Sequence, residues 1–274
     1  MARPAVTIRL GDNLALLAEV PDGTVQMAYA DPPFNTGRRQ TRRTLATVAA
    51  DPDAGDRTGF GGRRYATRLL EQSSYRDSFD DYLGFLMPRL AEVRRTLDET
   101  GTLYVHLDYR EAHYVKLALD ELFGRESFLN ELIWAYDYGA RSRRRWPAKH
   151  DTILVYVKNP AAYHFDSGAV DREPYMAPGL VTPEKAERGK LPTDTWWHTI
   201  VSPTGNEKTG YPTQKPEGLV RRMVQASSRP GDLCLDPFAG SGTLGAVAHK
   251  LGRRYLLMDE SSDAVSVMRR RLDE

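Results

Sequence analysis

Cysteine is nearly absent. One thiol, Cys234, in 274 residues excludes an intramolecular disulfide framework and a cysteine-rich zinc site. A reducing compartment is the simplest expectation. No apolar run reaches the ~20 residues that a membrane-spanning helix needs. The opening MARPAVTIRLGD has no apolar core followed by a cleavage site, so no signal peptide and a cytoplasmic location are expected. The six histidines (His106, His113, His150, His164, His198, His249) lack the spacing of a metal site, and no metal is expected. There is no G-x-x-x-x-G-K-[ST] phosphate loop, and the segment around Ser241 lacks the first glycine of a G-x-S-x-G hydrolase elbow. Lysine is scarce: 8 of the 38 basic residues are Lys and 30 are Arg. Arginine's planar fork suits phosphate and guanine, although a GC-rich genome produces the same bias. A net charge of +1 excludes a bulk polycation.

What is present is ordinary globular composition, 41% hydrophobic and 27% charged, enough for one large domain or two small ones. Ala5–Leu10, Val25–Ala30, Thr102–Leu107, Leu129–Tyr136, Thr152–Val157, 232–236 and 254–259 read as strands. Helical spacing covers Asp12–Glu19, Phe79–Leu97, Glu111–Phe123, 216–228, 243–251 and 262–272. Strand–helix alternation at both ends implies a doubly wound α/β sheet. Two stretches break the pattern. Residues 38–68 hold eight Arg against three Asp, interrupted by Gly and Pro, and read as a mobile basic loop. Residues 159–210 are rich in Pro, Gly, Thr and charge with weak periodicity, and read as an inserted segment.

Two motifs carry chemistry. The first is Leu233-Cys234-Leu235-Asp236-Pro237-Phe238-Ala239-Gly240-Ser241-Gly242-Thr243-Leu244-Gly245: a strand ending at a carboxylate, a glycine turn and a helix. Ligands of open parallel sheets bind at that strand edge, and glycines permit close approach of the backbone. Gly240, Gly242 and Gly245 also satisfy the dinucleotide pattern G-x-G-x-x-G, with Asp259 lying 19 residues after Gly240. A nicotinamide-dependent oxidoreductase is therefore an alternative. Asp236 argues against it, because a carboxylate there would repel a pyrophosphate. It would attract a ligand carrying a sulfonium and an ammonium without phosphate, and S-adenosylmethionine (SAM) is such a ligand.

The second motif is Asp31-Pro32-Pro33-Phe34, at the end of a buried strand. The exocyclic amine of adenine is a weak nucleophile, because its lone pair is delocalised into the ring. A carboxylate and a backbone carbonyl that each accept one N–H favour its rehybridisation. A Pro-Pro backbone presents carbonyls without competing N–H groups. An aromatic ring beside them can stack on a base removed from the helix.

With both motifs present, the chain resembles the β-class of SAM-dependent DNA amino-methyltransferases. The likeness rests on D-P-P-F followed by Asn35-Thr36-Gly37, on D-P-F-A-G-S-G-T near the C-terminus, and on Gly11-Asp12-Asn13-Leu14. It extends to Asn130-Glu131-Leu132-Ile133-Trp134, His150-Asp151-Thr152-Ile153-Leu154-Val155-Tyr156 and Tyr211-Pro212-Thr213-Gln214-Lys215-Pro216-Glu217. The resemblance implies a circularly permuted Rossmann-like class I methyltransferase fold, with a mostly parallel sheet and helices on both faces. Residues 1–158 and 211–274 would form the catalytic domain, and 159–210 a target-recognition insert. It implies methyl transfer from SAM to adenine N6 by direct in-line displacement on a flipped-out base, with N4 of cytosine as the alternative acceptor. A non-catalytic DNA-binding relic is a further alternative, against which the intact catalytic motif argues.

Residue by residue, the resemblance gives Asp31 and the Pro32 carbonyl to the amine, with Pro33 stiffening the turn and Phe34 stacking on the base. Asp236, Phe238, Gly240, Ser241, Gly242 and Thr243 would line the methionine side of SAM. Asp259 would take its ribose and Asp12 its adenine, with Lys215 in the matching motif. Double-stranded DNA is the implied partner, engaged at the bacterial nucleoid. A homodimer and a cognate restriction endonuclease are left open. Arg38, Arg39, Arg42 and Arg43, and the run Arg141, Arg143, Arg144, Arg145 and Lys149, are candidate phosphate contacts. Trp196 and Trp197 read as the small core of the insert, and Cys234 and His106 as structural. The permuted order predicts that strands 25–30 and 232–236 are sheet neighbours, and that helix 262–272 returns to the strand beginning at Ala5.

Overall fold

The two apolar runs that lead into the sequence motifs become fully buried strands. Val25–Ala30 (β2) and Leu233–Asp236 (β10) are buried at every position, as expected for strands covered on both faces. The computed structural model describes residues 7–49, 57–58, 64–77, 79–202 and 205–273. The remaining strands are β1 (Thr7–Leu10), β3 (Arg38–Ala49), β4 (Arg57–Thr58), β5 (Arg64–Asp77), β6 (Leu97–Leu107), β7 (Phe128–Ala135), β8 (His150–Val157), β9 (Thr195–Trp197) and β11 (Arg254–Asp259). The helices are α1 (Asn13–Ala18), α2 (Tyr82–Thr96), α3 (Ala112–Phe123), α4 (Pro183–Arg188), α5 (Glu217–Ser227), α6 (Thr243–Lys250) and α7 (Ser262–Leu272).

Eight strands form one sheet in the order β1-β11-β10-β2-β6-β8-β7-β9. The first five are mutually parallel, β8 is antiparallel to both neighbours, and β9 adds in parallel to β7. Helices α1, α2 and α3 pack together on one face and α5, α6 and α7 on the other. The core on the second face joins Tyr29, Tyr104 and Val155 of the strands to Met223, Leu244 and Met268 of the helices. Cys234 pairs with Met27 and Leu235 with Ala28, so the two motif-bearing strands are neighbours. β1 pairs with β11, and α7 packs on β1, as the permuted order requires. Among the described residues no helix is long and apolar enough to cross a membrane.

One expectation needs correction. The described residues within 38–68 form strands and not a loop: β3 and β5 pair antiparallel from Arg38↔Asp77 to Ala49↔Tyr65, with β4 added on β5. This ribbon belongs to a second unit spanning Asn35–Asp80. Arg and Thr make up much of β3, so the apolar alternation that announces a strand is missing from its sequence, while Thr41, Thr44, Thr47 and Val48 suit the extended backbone. Residues 51–56 and 59–63 lie outside the described residues. The stretch 159–210 lies in the first unit and supplies β9, whose Trp196 is buried in the main core while Trp197 is exposed. Helix α2 also ends at Thr96, ahead of Gly101, and β6 starts at once with Leu97 extended.

The turn entering α6 depends on Gly242. Its φ is +72°, and a Cβ there would lie 2.8 Å from Cγ of buried Met268. Gly242→Ala should destabilise the protein by about 1–3 kcal/mol, read as a lower urea midpoint at unchanged m-value.

Candidate active site

Parallel strands deliver their last residues to one edge, and here three of them end in carboxylates. Asp31 follows β2, Asp236 closes β10 and Asp259 closes β11. Asp236 is buried. It accepts an N–H from Phe238 at 3.0 Å, and among the described residues no Lys or Arg forms an ion pair with it. Burial, reinforced by the charges of Asp31 and Asp259, pushes its carboxyl well above the usual range. Asp259 is also raised by burial, against the N–H groups of Ser261 (2.9 Å) and Gly240 (2.8 Å) that it accepts.

Asp31 has a cation of its own. The Lys215 ammonium, itself buried, donates to both carboxylate oxygens at 2.6 and 2.5 Å. The same Nζ lies 4.8 Å from the centroid of the Phe34 ring. Thr243 Oγ1 donates to the Lys215 carbonyl at 3.1 Å, and Arg271 Nη1 donates to Thr243 Oγ1 at 3.1 Å. Arg271 also binds the Ser241 carbonyl (3.1 Å) and Glu217 (2.9 Å). The hydroxyls of Ser241 and Thr243 therefore turn into the scaffold, where they hold the loop and Lys215. Gly240, at φ +49°, turns its backbone toward Tyr211, whose ring would be 3.2 Å from an added Cβ. Phe238 packs against Phe85, with ring centroids 6.2 Å apart.

Asp12 lies at the end of β1, beside Asp259: the N–H of Gly11 donates to the Asp259 carbonyl at 3.0 Å. Its carboxylate caps α1 by accepting from Leu14 (2.7 Å) and Ala15 (3.3 Å), and pairs with Arg89 at 2.9 Å. Asn13 links Arg89 to the Pro237 carbonyl, accepting from Nε at 2.6 Å and donating at 2.6 Å. The structure thus joins Asp12, Asp31, Lys215, Asp236, Phe238, Gly240 and Asp259 at one strand edge. Buried carboxylates beside a glycine turn fit a small, cationic, phosphate-free cofactor.

Arg141, Arg143, Arg144 and Arg145 are exposed on the connection between β7 and β8. Ser142 Oγ shapes that loop by accepting from Arg144 and Arg145 N–H groups at 3.2 and 3.1 Å. Trp146 beside them is 94% exposed, and Lys149 lies 3.5 Å from Asp137. Arg38, Arg39, Arg42 and Arg43 belong to β3, and their side chains lie outside the described residues. Burial pushes the Cys234 thiol up to about 12, which leaves it an inert member of its strand.

A profile of the DNA methylase family matches residues 25–270. The chain is also 31% identical over 277 residues to DNA adenine methyltransferase YhdJ of Escherichia coli strain K12, covering 98% of this chain and 83% of that protein. The chain belongs to the DNA methylase family. Its fold is similar to the crystal structure of an M1.HpyAVI–SAM complex (TM-score 0.62, 19% identity, 98% of this chain and 99% of the other). It is also similar to the cytosine-N4-specific PvuII DNA methyltransferase (TM-score 0.65, 16% identity, 97% and 85% covered).

In this DNA methylase the sequence reading missed a buried group beneath Phe34. His106 Nδ1 meets the Tyr29 hydroxyl at 2.7 Å, and Nε2 meets Asp151 Oδ2 at 3.1 Å. Tyr136 donates to Asp151 Oδ1 at 3.0 Å. Tyr29 and His106 sit on the strands that carry Asp31 and its neighbour, and Asp151 lies in a segment already matched to the family. No short-range spacing links them. The contacts of Asn13, Arg89 and Tyr211 likewise emerge only once the strand ends converge, although Asn13 and Tyr211 lie in motifs that carry the family likeness.

The raised Asp236 carboxyl has a measurable consequence. A carboxyl with a folded pKa above its unfolded value contributes full stability below the unfolded pKa and loses it as pH rises through the folded pKa. Asp236→Asn removes that penalty. At pH 8 it should raise the Tm of the ligand-free protein by about 2–4 °C or more, the shift that 1 kcal/mol produces at this size. The gain should vanish as pH falls toward 4, as scanning calorimetry across pH would show.

Proposed function

We propose that this DNA methylase transfers a methyl group from SAM to the N6 amine of adenine in double-stranded DNA. One observation carries the reading: β10 pairs with β2, which puts Asp236 and the Asp31-Pro32-Pro33-Phe34 turn on adjacent strand ends although the chain separates them widely. The relation to an adenine methyltransferase along nearly the whole chain supports adenine as the acceptor.

SAM, when bound, supplies a methyl group already activated on a sulfonium, so neither a metal nor a covalent nucleophile is needed. Asp236 offers the unpaired buried carboxylate for its cationic end. Asp259 and Asp12, side by side at the ends of β11 and β1, serve the ribose and adenine. Gly240 and Gly242 bring bare backbone to the ligand. Asp31 and the Pro32 carbonyl accept the two N–H groups of the target amine, which frees its lone pair toward the methyl. Lys215 occupies one lone pair on each Asp31 oxygen and leaves one on each for the amine. Phe34 supports the base. The contribution of the chain is proximity and preorganised acceptors.

Arg141, Arg143, Arg144 and Arg145 serve the phosphate backbone, and the ribbon arginines Arg38, Arg39, Arg42 and Arg43 extend that role. Residues 159–210 carry sequence recognition, and the protein works at the cytoplasmic nucleoid.

The test is incubation with unmodified genomic DNA and methyl-labelled SAM, followed by nucleoside mass spectrometry and sequencing. Labelled N6-methyladenine is expected; labelled N4-methylcytosine would overturn the choice of base, and no labelled nucleoside the reaction. Asp31→Ala should lose about 10²–10³-fold or more in rate and keep SAM affinity within a few fold, whereas Asp259→Ala should weaken SAM binding. Replacing the four loop arginines by Ala should flatten the slope of log K against log[salt] by about 1 per lost phosphate contact, measured by anisotropy titration.

A further inference from the structure

The geometry points to His106 as a positioning residue for the target base, acting through the ring of Phe34. The inference rests on the proposed role of Phe34 as the surface on which adenine stacks.

Four adjacent strands, β2, β6, β8 and β7, are laced at their active-site ends by Tyr29, His106, Asp151 and Tyr136. The direction of each bond follows from donor and acceptor capacity. Asp151 as a carboxylate only accepts, so the Tyr136 hydroxyl donates to Oδ1 and His106 Nε2–H to Oδ2. Nδ1 then carries a lone pair, and the Tyr29 hydroxyl donates to it. Burial alone would raise the Asp151 carboxyl; bonds from His106 and Tyr136, with the nearby Lys215 charge, hold it below the usual range. The imidazole is fully buried and each nitrogen has its own partner, so the ring can neither flip nor tilt without breaking a bond.

That fixed plane lies against Phe34. The two ring centroids are 5.8 Å apart at 32°, while Trp134 stands edge-on to His106 at 5.6 Å and 87°. The backbone of Phe34 is already restrained. Two prolines precede it, each with a locked φ, and Asn35 follows at φ +53°. Its remaining freedom is the ring torsions, and among the described residues its ring meets His106 and the Lys215 ammonium. An apolar residue at 106 would fill the space. It would leave the Tyr29 hydroxyl and one Asp151 oxygen unpaired, and nothing would fix its orientation. The choice of histidine therefore concerns where Phe34 points more than how the core is filled.

The discriminating variant is His106→Gln, which keeps an acceptor and a donor in reach but has no ring plane. On duplexes carrying 2-aminopurine at the methylated position, found by the sequencing above, it should reduce the fluorescence rise that accompanies base extrusion. kcat should fall about 10–100-fold, with the KM for SAM and the SAM Kd within about threefold of wild type. Tyr29→Phe, which only unlocks the imidazole, should show the same split at smaller amplitude. Wild-type kcat and fluorescence in His106→Gln would overturn the inference. If that variant does not fold, wild-type kinetics in Tyr29→Phe would overturn it instead. Failure of the wild-type protein to methylate adenine would remove the underlying reading, whereas an active wild type matched by both variants would remove only the role of His106.

Discussion

Buried negative charge at the ends of three parallel strands is the constraint on which the site depends. Asp31, Asp236 and Asp259 converge where little water screens them, and one ammonium, Lys215, is held among them. Ionised carboxylates in such a place are costly unless they are paired or await a cation. Much of the surrounding architecture manages this imbalance. Backbone N–H groups of Phe238, Gly240 and Ser261 turn toward the acids. Arg271 reaches across from α7 to tie α5, the glycine turn and the backbone of Lys215 into one frame. The result is a cleft that is rigid and electrostatically unfinished, which suits a cofactor whose charge is positive.

The regular part of this arrangement was legible in the sequence. Val25–Ala30, Arg254–Asp259 and Ser262–Leu272 have the limits that apolar runs and spacing suggest, because their buried positions follow the strand and helix patterns. The acids at strand ends could be found because carboxylates interrupt hydrophobic runs. The ribbon at Arg38–Ala49 and Arg64–Asp77 was not legible, because its sequence, RRQTRRTLATVA and RYATRLLEQSSYRD, shows no alternation of apolar and polar residues. The group around His106 was hidden for a different reason. Its members come from three strands and the residue after a fourth, far apart in the chain, and only the order β2-β6-β8-β7 makes them neighbours. Ser241 and Thr243 show the converse: the motif locates them in the cofactor loop, yet their hydroxyls serve the scaffold.

Charge is divided by location more than by amount. A chain with net charge +1 keeps its acids at the buried strand ends and exposes Arg141, Arg143, Arg144 and Arg145 on one connection. A near-neutral total is compatible with binding a polyanion when the cations are concentrated on one surface. The exposed Trp146 within that run places a large aromatic surface among the same cations.

The pairing of Met27 with Cys234 has a consequence for how the molecule is made. Strand β2 lies in the middle of the finished sheet, yet β10, the strand on one of its sides, is synthesised long after it, and β1 waits still longer for β11. Until β10 is made, β2 is therefore an edge that is apolar apart from Gln26, of the kind that recruits other chains. Contacts this distant in sequence form slowly, so the sheet cannot close before the segment carrying Asp236 has been made. The same chain order that brings Asp31 and Asp236 to adjacent strand ends leaves that edge open until β10 arrives.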